Sequence, residues 1–235
     1  MIELSIILPA HNQADIIEPA FKNFFKSIRK TVKYCEFILV ENGSWDNSLE
    51  IVKLIAKTYP DTRFLVTEKG PGRAVSRGID NARGKLVCYM ASDGQIDLKV
   101  FARLWQETTS GKWDLVKIKR ITRESLLRSV IQKLFSITMF VVFGMPYLDV
   151  NGTPKIFEKS KFRVIALESN DEFLDAEFLI KAVRLGWSIK EVPMKTLARL
   201  GGKSKRSVKT FFGFFANIYR FKIGKNLVEW QRKYK

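Results

Sequence analysis

Histidine and cysteine are nearly absent from this 235-residue chain, which has one histidine, His11, and two cysteines, Cys35 and Cys88. Neither cysteine stands in a C-x-x-C spacing, which argues against a zinc centre and against a disulfide framework. Each sits in an apolar, strand-like run and reads as a small buried hydrophobe in a reducing compartment. Acidic residues are scarce too: 24 Asp+Glu against 41 Lys+Arg leave a formal net charge of +17. Such an excess calls for an anionic partner: nucleic acid, a phosphorylated substrate or an acidic membrane surface. The longest uncharged stretch, Leu134 to Leu148, has 15 residues, short of the roughly 20 that cross a bilayer. The N-terminus carries no basic n-region, which argues against a secretory signal. Neither G-x-G-x-x-G after the first strand nor G-x-x-x-x-G-K-[ST] occurs, so a Rossmann dehydrogenase and a P-loop NTPase are disfavoured. Internal repeats and low-complexity linkers are lacking as well.

What is present is a globular composition, 46% hydrophobic and 28% charged, in a chain long enough for one well-cored domain. The first half alternates strand and helix. Leu4 to Leu8 is an apolar run closed by Pro9, and Asp15 to Lys30 has helical spacing. Glu36 to Val40 is a second strand, and Asp46 is placed to cap a helix with Leu49, Val52 and Ile55 on its apolar face. Arg63 to Thr67 is a third strand, and Gly70-Pro71-Gly72 leads into a helix from about Arg73 to Ala82. That loop reads as a plain turn before a basic helix. Leu86 to Met90 forms a fourth strand. This order predicts an α/β fold with a mainly parallel, doubly wound sheet and its active loops along one edge.

In the second half, Leu115 to Ile118 is a strand ending in Lys119 and Arg120. An apolar helix follows from Glu124 to Phe143, then a turn from Asp149 to Lys155 and a short strand through Ile156 and Phe157. Asp175-Ala-Glu177 opens an amphipathic helix closed by Gly186, and Ile189 to Val192 is another strand. Arg199 to Lys205 is a basic loop suited to closing over phosphates. From Lys209 to Lys225 eight large apolar side chains alternate with basic residues, which predicts C-terminal amphipathic helices.

The richest stretch is Lys85 to Gln95. Its apolar strand stops at small residues and presents a carboxylate at Asp93 and an amide at Gln95. A strand followed by an ordinary Ser-Asp-Gly turn would look the same. At the carboxyl edge of an α/β sheet, however, two oxygen ligands two residues apart suit a divalent cation holding a phosphorylated substrate. Together the motifs resemble the family-2 glycosyltransferases of GT-A fold, in the dolichyl-phosphate mannose synthase-like branch, over about residues 4 to 205. Ile6 to Gln13 is similar to the opening strand and nucleotide turn. Val40-Glu-Asn-Gly-Ser-Trp-Asp46 is similar to V-D-D-G-S-x-D, and Ala91-Ser-Asp93-Gly-Gln95 to the D-x-D-x-Q metal motif. Asp149 to Lys155, Asp175 to Glu177, Glu191-Val-Pro193 and Arg199 to Lys205 follow in the same order.

The resemblance implies an inverting, metal-dependent hexosyl transfer from a nucleotide-sugar, GDP-mannose or UDP-glucose, to a polyprenyl phosphate. Mg2+ or Mn2+ would be held by Asp93 and Gln95. The donor would contact Pro9, His11, Gln13, Glu41, Asn42, Ala91, Ser92 and Lys205, and Arg199 would join Asp93 as a catalytic group. Arg120 and Arg128 would position the acceptor phosphate, although both also read as surface charges of a basic protein. Ala91 replaces the motif's first aspartate, Glu41 and Asn42 replace two aspartates, and His11 and Gln13 replace a tyrosine and a glutamate. These departures leave the nucleotide open. Two alternatives remain: a family-2 transferase acting on a sugar hydroxyl, with Asp175 or Glu177 as base, and a basic nucleic-acid-binding protein. The domain would span residues 1–205, with 206–235 a basic aromatic segment at the membrane interface. Two segments, the uncharged stretch Leu134 to Leu148 and the aromatic-basic tail Phe211 to Lys225, carry large apolar side chains flanked by Lys and Arg. The chain is accordingly expected on the cytoplasmic membrane face as a peripheral protein, with a small membrane-anchoring subunit as a further partner and without nucleic acid.

Overall fold

The computed structural model describes residues 2–121, 126–146, 149–197 and 208–234. Strands β1 (Leu4–Ala10), β2 (Cys35–Asn42), β3 (Thr62–Thr67) and β4 (Leu86–Tyr89) alternate with helices α1 (Ile17–Thr31), α2 (Ser48–Thr58) and α3 (Pro71–Asp80). After β4 come α4 (Phe101–Thr109), β5 (Leu115–Arg120), α5 (Leu126–Phe143), β6 (Lys155–Glu158), α6 (Lys159–Ile165), α7 (Leu174–Arg184) and β7 (Ile189–Met194). The chain continues through α8 (Val208–Ile223) and α9 (Lys225–Tyr234).

Seven strands form one sheet in the order β3-β2-β1-β4-β6-β5-β7. All of its pairings are parallel except those of β6, which runs antiparallel to β4 and β5. The expected mainly parallel, doubly wound sheet is therefore what forms. Every residue of β2 is buried, as a strand covered on both faces must be. Alternation along the strands assigns the two faces. Leu4, Ile6 and Leu8 pack with Phe21 and Phe24 of α1, Val52 of α2 and Leu104 of α4. Ile7, Ile38 and Val40 face the opposite layer, with Val75 of α3, Met139 of α5, Phe178 of α7 and Trp230 of α9.

Two glycines set how closely the layers approach. A Cβ on Gly78 would lie 2.4 Å from Ile7 Cγ2, so only glycine lets α3 rest on β1 at this distance. A Cβ on Gly72 would collide with the Ser169 carbonyl, and the Gly72 amide donates to Asn170 O at 3.1 Å. Gly72 thus seats the start of α3 against the segment that leads into α7. Pro71 occupies the first turn of α3, where a missing N–H costs nothing. Gly186 (φ 72°) ends α7 as expected. Its amide donates to Val183 O, and Trp187 N donates to Ala182 O, both at 3.0 Å, which completes a Schellman closure.

Helices α4 and α6 lie where the sequence reading placed none, and α9 carries the predicted C-terminal amphipathic helices beyond Lys225. In α4 the buried residues are Phe101 and Leu104, in α6 Phe162 and Ile165, and in α9 Leu227 and Trp230. Each pair is one turn apart and too short a pattern to read as periodicity. The C-terminal tail folds back on the domain: Ile218, Leu227 and Trp230 are at most 4% exposed. Trp230 Nε1 donates to Val164 O at 2.8 Å. Phe221 packs on Phe143 and Phe173. Among the described residues no helix is long and apolar enough to cross a membrane.

Candidate active site

The carboxyl ends of β1, β2 and β4 meet at one edge of the sheet, tied there by side chains bonding to main chain. Asn42, at the end of β2, donates to Ala10 O at 3.1 Å and accepts from Gly70 N at 3.3 Å. His11 Nδ1 lies 2.9 Å from Asn42 O. A carbonyl only accepts, so Nδ1 carries the proton and Nε2 is left as the acceptor, 3.4 Å from Asn12 Nδ2. Asn12 sits in the left-handed region (φ 50°). It joins the two loops by donating its N–H to Ser44 Oγ and accepting from Trp45 N, both at 2.9 Å. Glu41 Oε1 accepts from Ser44 N at 2.5 Å. Asp46 accepts from Ala14 N at 3.1 Å and Ser48 N at 3.0 Å. It therefore helps start α2 from one position ahead of the cap residue Asn47. Ser92 Oγ bonds the Pro9 carbonyl and, at 2.6 Å, the Gln13 side chain, which brings the β4 end against the β1 turn. Pro9, His11, Gln13, Glu41, Asn42 and Ser92 are thus gathered in one place. Ala91 is exposed beside them.

Asp93 and Gln95 follow in a tight turn, with Gln95 N donating to Asp93 Oδ1 at 3.2 Å. Gln95 Nε2 is 3.4 Å from Leu197 O, and Leu197 N donates back to Gln95 O at 3.0 Å. This exchange ties the β4 turn to the segment after β7. Among the described residues no group of three or more His, Cys, Asp or Glu is placed to hold a metal ion. Two neighbouring oxygen ligands at a half-buried turn still suit Mg2+ or Mn2+, which keep waters and take substrate oxygens.

Beside this turn lies a layer of paired charges that the sequence reading did not assemble. Arg120 Nε and Nη2 contact the two carboxylate oxygens of Asp149 at 2.9 and 2.7 Å, and Arg120 N donates to the same group at 2.7 Å. Burial disfavours the Arg120 cation, but Asp149, with Asp175 and Asp93 beyond it, outweighs burial and raises its pKa. Lys117 on β5 is fully buried; it donates to Glu191 at 2.7 Å and to Asp149 O at 2.6 Å. Lys155 on β6 is also fully buried and pairs with Asp175, which accepts from Tyr89 Oη at 2.9 Å. Lys155 stands opposite both Tyr89 and Lys117 across the sheet, so carboxylates must separate the two cations. A Cβ on Gly152 would strike Ile118 O, which lets the 149–152 turn press on β5. In that turn Asn151 Oδ1 is buried without a hydrogen-bond partner. A lysine in the middle of the apolar run Leu115 to Ile118 was the available signal for this layer, because a charge there must be paired.

Glu177 serves the fold. Its two oxygens accept from Glu168 N at 2.9 Å and Ser169 N at 2.7 Å, and Lys181 Nζ approaches to 2.6 Å. Arg199, Lys205 and the Arg128 side chain lie outside the described residues.

Burial lowers the Lys155 pKa to about 8, against the pull of Asp175. The unfolded chain, with an ordinary lysine near 10.4, then holds this proton more tightly than the fold does between about pH 8 and 10. The cost of charging Lys155 is full below pH 8 and fades as pH rises through that window, so this group's contribution to stability increases. The difference in unfolding free energy between the native chain and Lys155→Met should therefore move in favour of the native chain by roughly 1–2 kcal/mol from pH 7.5 to 9.5. Denaturant melts at both pH values measure it. A flat difference would mean that Lys155 does not titrate there.

Residues 5–129 match the family model described as Glycosyl transferase family 2. A dolichyl-phosphate beta-glucosyltransferase of Trichomonas vaginalis is 29% identical over 224 residues, covering 88% of this chain and 69% of the relative. One from Dictyostelium discoideum is 24% identical over 253 residues, covering 94% and 77%. A glycosyltransferase of Haloferax volcanii is 24% identical over 204 residues; the match covers 82% of this chain but only 33% of that longer protein. Among solved structures, glucosyl-3-phosphoglycerate synthase of Mycobacterium tuberculosis, in complex with Mn2+ and UDP-glucose, superposes with a TM-score of 0.70 at 18% identity, over 94% of this chain and 79% of that one. The sheet and its two helical layers are thus of the GT-A type, and the chain belongs to glycosyl transferase family 2.

Proposed function

We propose that the chain transfers a hexose, with inversion, from a nucleotide-sugar (UDP-glucose or GDP-mannose) to the phosphate of a polyprenyl lipid at the cytoplasmic face of a membrane. The observation that carries this reading is the meeting of the Asp93–Gln95 turn with the Arg120–Asp149 pair at the sheet edge. It sets a cation-ligand pair beside a fixed guanidinium, as a reaction between two phosphorylated molecules requires. The names of the Trichomonas and Dictyostelium relatives support the lipid acceptor.

The network around Asn42, Asn12 and Ser92 holds the nucleotide loops in place before the donor arrives. Asp93 and Gln95 would hold Mg2+ or Mn2+, which when bound neutralises charge on the departing diphosphate. Arg120, fixed by Asp149, orients the acceptor phosphate, whose oxygen is already ionised near neutral pH and needs no general base. Asn151 Oδ1 offers a buried acceptor for a sugar hydroxyl. Arg199 and Lys205 are proposed to add charge-assisted contacts to the diphosphate as the loop closes.

Thermal unfolding of the chain with UDP-glucose and GDP-mannose, with and without Mn2+, tests the donor. The cognate pair should stabilise the fold by about 2.7 kcal/mol at 100 times its Kd, and far less without metal. Transfer to a polyprenyl phosphate against transfer to a sugar hydroxyl tests the acceptor. Turnover with the hydroxyl alone would replace this reading by one in which Asp175 acts as base.

A further inference from the structure

Helix α5 is apolar on both sides. Phe135, Met139 and Phe143 are buried against the sheet. Val130, Leu134, Ile137 and Val141, spaced four, three and four residues apart, form a stripe on the other side and are 54, 50, 57 and 74% exposed. Phe140 adds a ring that is 61% exposed. A helix hydrophobic all round normally has both faces covered, and a continuous apolar stripe on a surface marks an interaction site. The stripe extends onto α8. Lys222 Nζ donates to Val142 O at 3.0 Å and stands over the Phe143 ring. Tyr219 and Ile223, on the same side of α8 as Lys222, are 67 and 63% exposed. Exposed Lys133, Arg220 and Lys222 border the apolar side chains.

We infer that the α5 stripe, continued by Tyr219 and Ile223, is the surface on which this chain lies in an anionic lipid interface. The occupant follows from the chemistry of the patch. Large apolar side chains rimmed by Lys and Arg, on a chain of net charge +17, fit headgroups that are anionic above and acyl chains that are apolar below. The stripe runs roughly 17 Å along the helix at 1.5 Å per residue, so it lies in the interface and does not cross it. Six Cα steps separate Arg120 from Leu126 at the start of α5, which keeps these two Cα atoms within about 23 Å of each other, and the stripe begins at Val130, about 6 Å further along the helix. On the lipid-acceptor reading, a lipid whose tail stays in the bilayer at this stripe presents its phosphate to Arg120. Of the two segments expected at the membrane, Leu134 to Leu148 supplies most of the stripe, and the tail, among its described residues, adds Tyr219 and Ile223 of α8.

This inference rests on the lipid-acceptor reading, and the test separates the two. The full chain is floated at low salt with phosphatidylcholine vesicles that contain phosphatidylglycerol. It should float with them, be released by salt and bind pure phosphatidylcholine weakly. The double variant Ile137→Glu/Val141→Glu, altered at exposed positions, should keep the native unfolding midpoint and lose about tenfold or more in bound fraction. Val228→Glu, exposed on α9, should float like the native chain. Native-like flotation of the double variant would overturn the assignment, and so would an intact chain that ignores anionic vesicles. A concentration-dependent dimer that the double variant abolishes would assign the stripe to a second copy and overturn it as well. Transfer to detergent-dispersed polyprenyl phosphate is measured in parallel. Transfer that survives failed flotation sinks only the docking surface, whereas normal flotation without transfer sinks the acceptor reading.

Discussion

Asp93→Ala is expected to reduce hexosyl transfer by roughly 10³-fold, the scale of losing one preorganised electrostatic partner of a developing charge, and to remove the dependence of UDP binding on Mn2+. Ala91 stands where the family motif has its first aspartate, so Asp93 is the carboxylate left at this turn to face a cation. The bond Asp93 accepts from Gln95 N is a local turn contact, and losing it costs about 1 kcal/mol. Gln95→Ala should be milder, because water can replace a neutral oxygen ligand, and it should lower metal affinity more than turnover at saturating Mn2+. Calorimetric titration of UDP at several Mn2+ concentrations, alongside steady-state transfer, measures both variants. Unchanged metal-dependent UDP affinity in Asp93→Ala would remove Asp93 from the cation site.

The strands were legible because parallel pairing buries them on both faces and turns them into unbroken apolar runs, as in Phe37 to Val40 and Leu86 to Tyr89. The nucleotide-side residues were legible for a related reason. Each stands where such a run ends, and ligands collect at the carboxyl ends of strands. What the linear pattern could not carry was pairing across the sheet. Lys117, Lys155, Asp149, Asp175 and Glu191 are scattered over 75 positions of the chain and meet only because β6 inserts antiparallel between β4 and β5. Arg120 was assigned to the acceptor without its Asp149 clamp for the same reason. The tail shows a second limit. Its aromatic-basic composition suits a membrane interface and a packed amphipathic helix equally, and among its described residues Ile218, Leu227 and Trp230 face the domain whereas Tyr219 and Ile223 do not.

The residue pair Asp175 and Glu177 shows why spacing alone did not separate chemistry from scaffold. Both open α7, but two residues along a helix turn a side chain to a different face. Asp175 turns to Tyr89 and Lys155 at the sheet edge, whereas Glu177 turns into the segment before α7, where it is 0% exposed. Glu177→Ala is accordingly expected to destabilise the fold by about 3–5 kcal/mol, because it leaves the Lys181 cation buried without its nearest partner. Lys181 is itself fully buried, with Ala166 O at 2.8 Å and, among the described residues, only the exposed end of Glu168, at 3.6 Å, as a second anion. The same change frees the amides of Glu168 and Ser169, whose segment seats Gly72 at the start of α3, so the damage should spread from α7 to the nucleotide side. For a chain of this length the loss corresponds to a fall in Tm of roughly 6–20 °C. Glu177→Gln, which keeps an acceptor but not the charge, should fall between the two. Scanning calorimetry with parallel donor binding on whatever remains folded measures the effect. A Tm within a degree or so of the native value together with lost transfer would move Glu177 from the scaffold to the reaction and make it the base of a hydroxyl-acceptor enzyme.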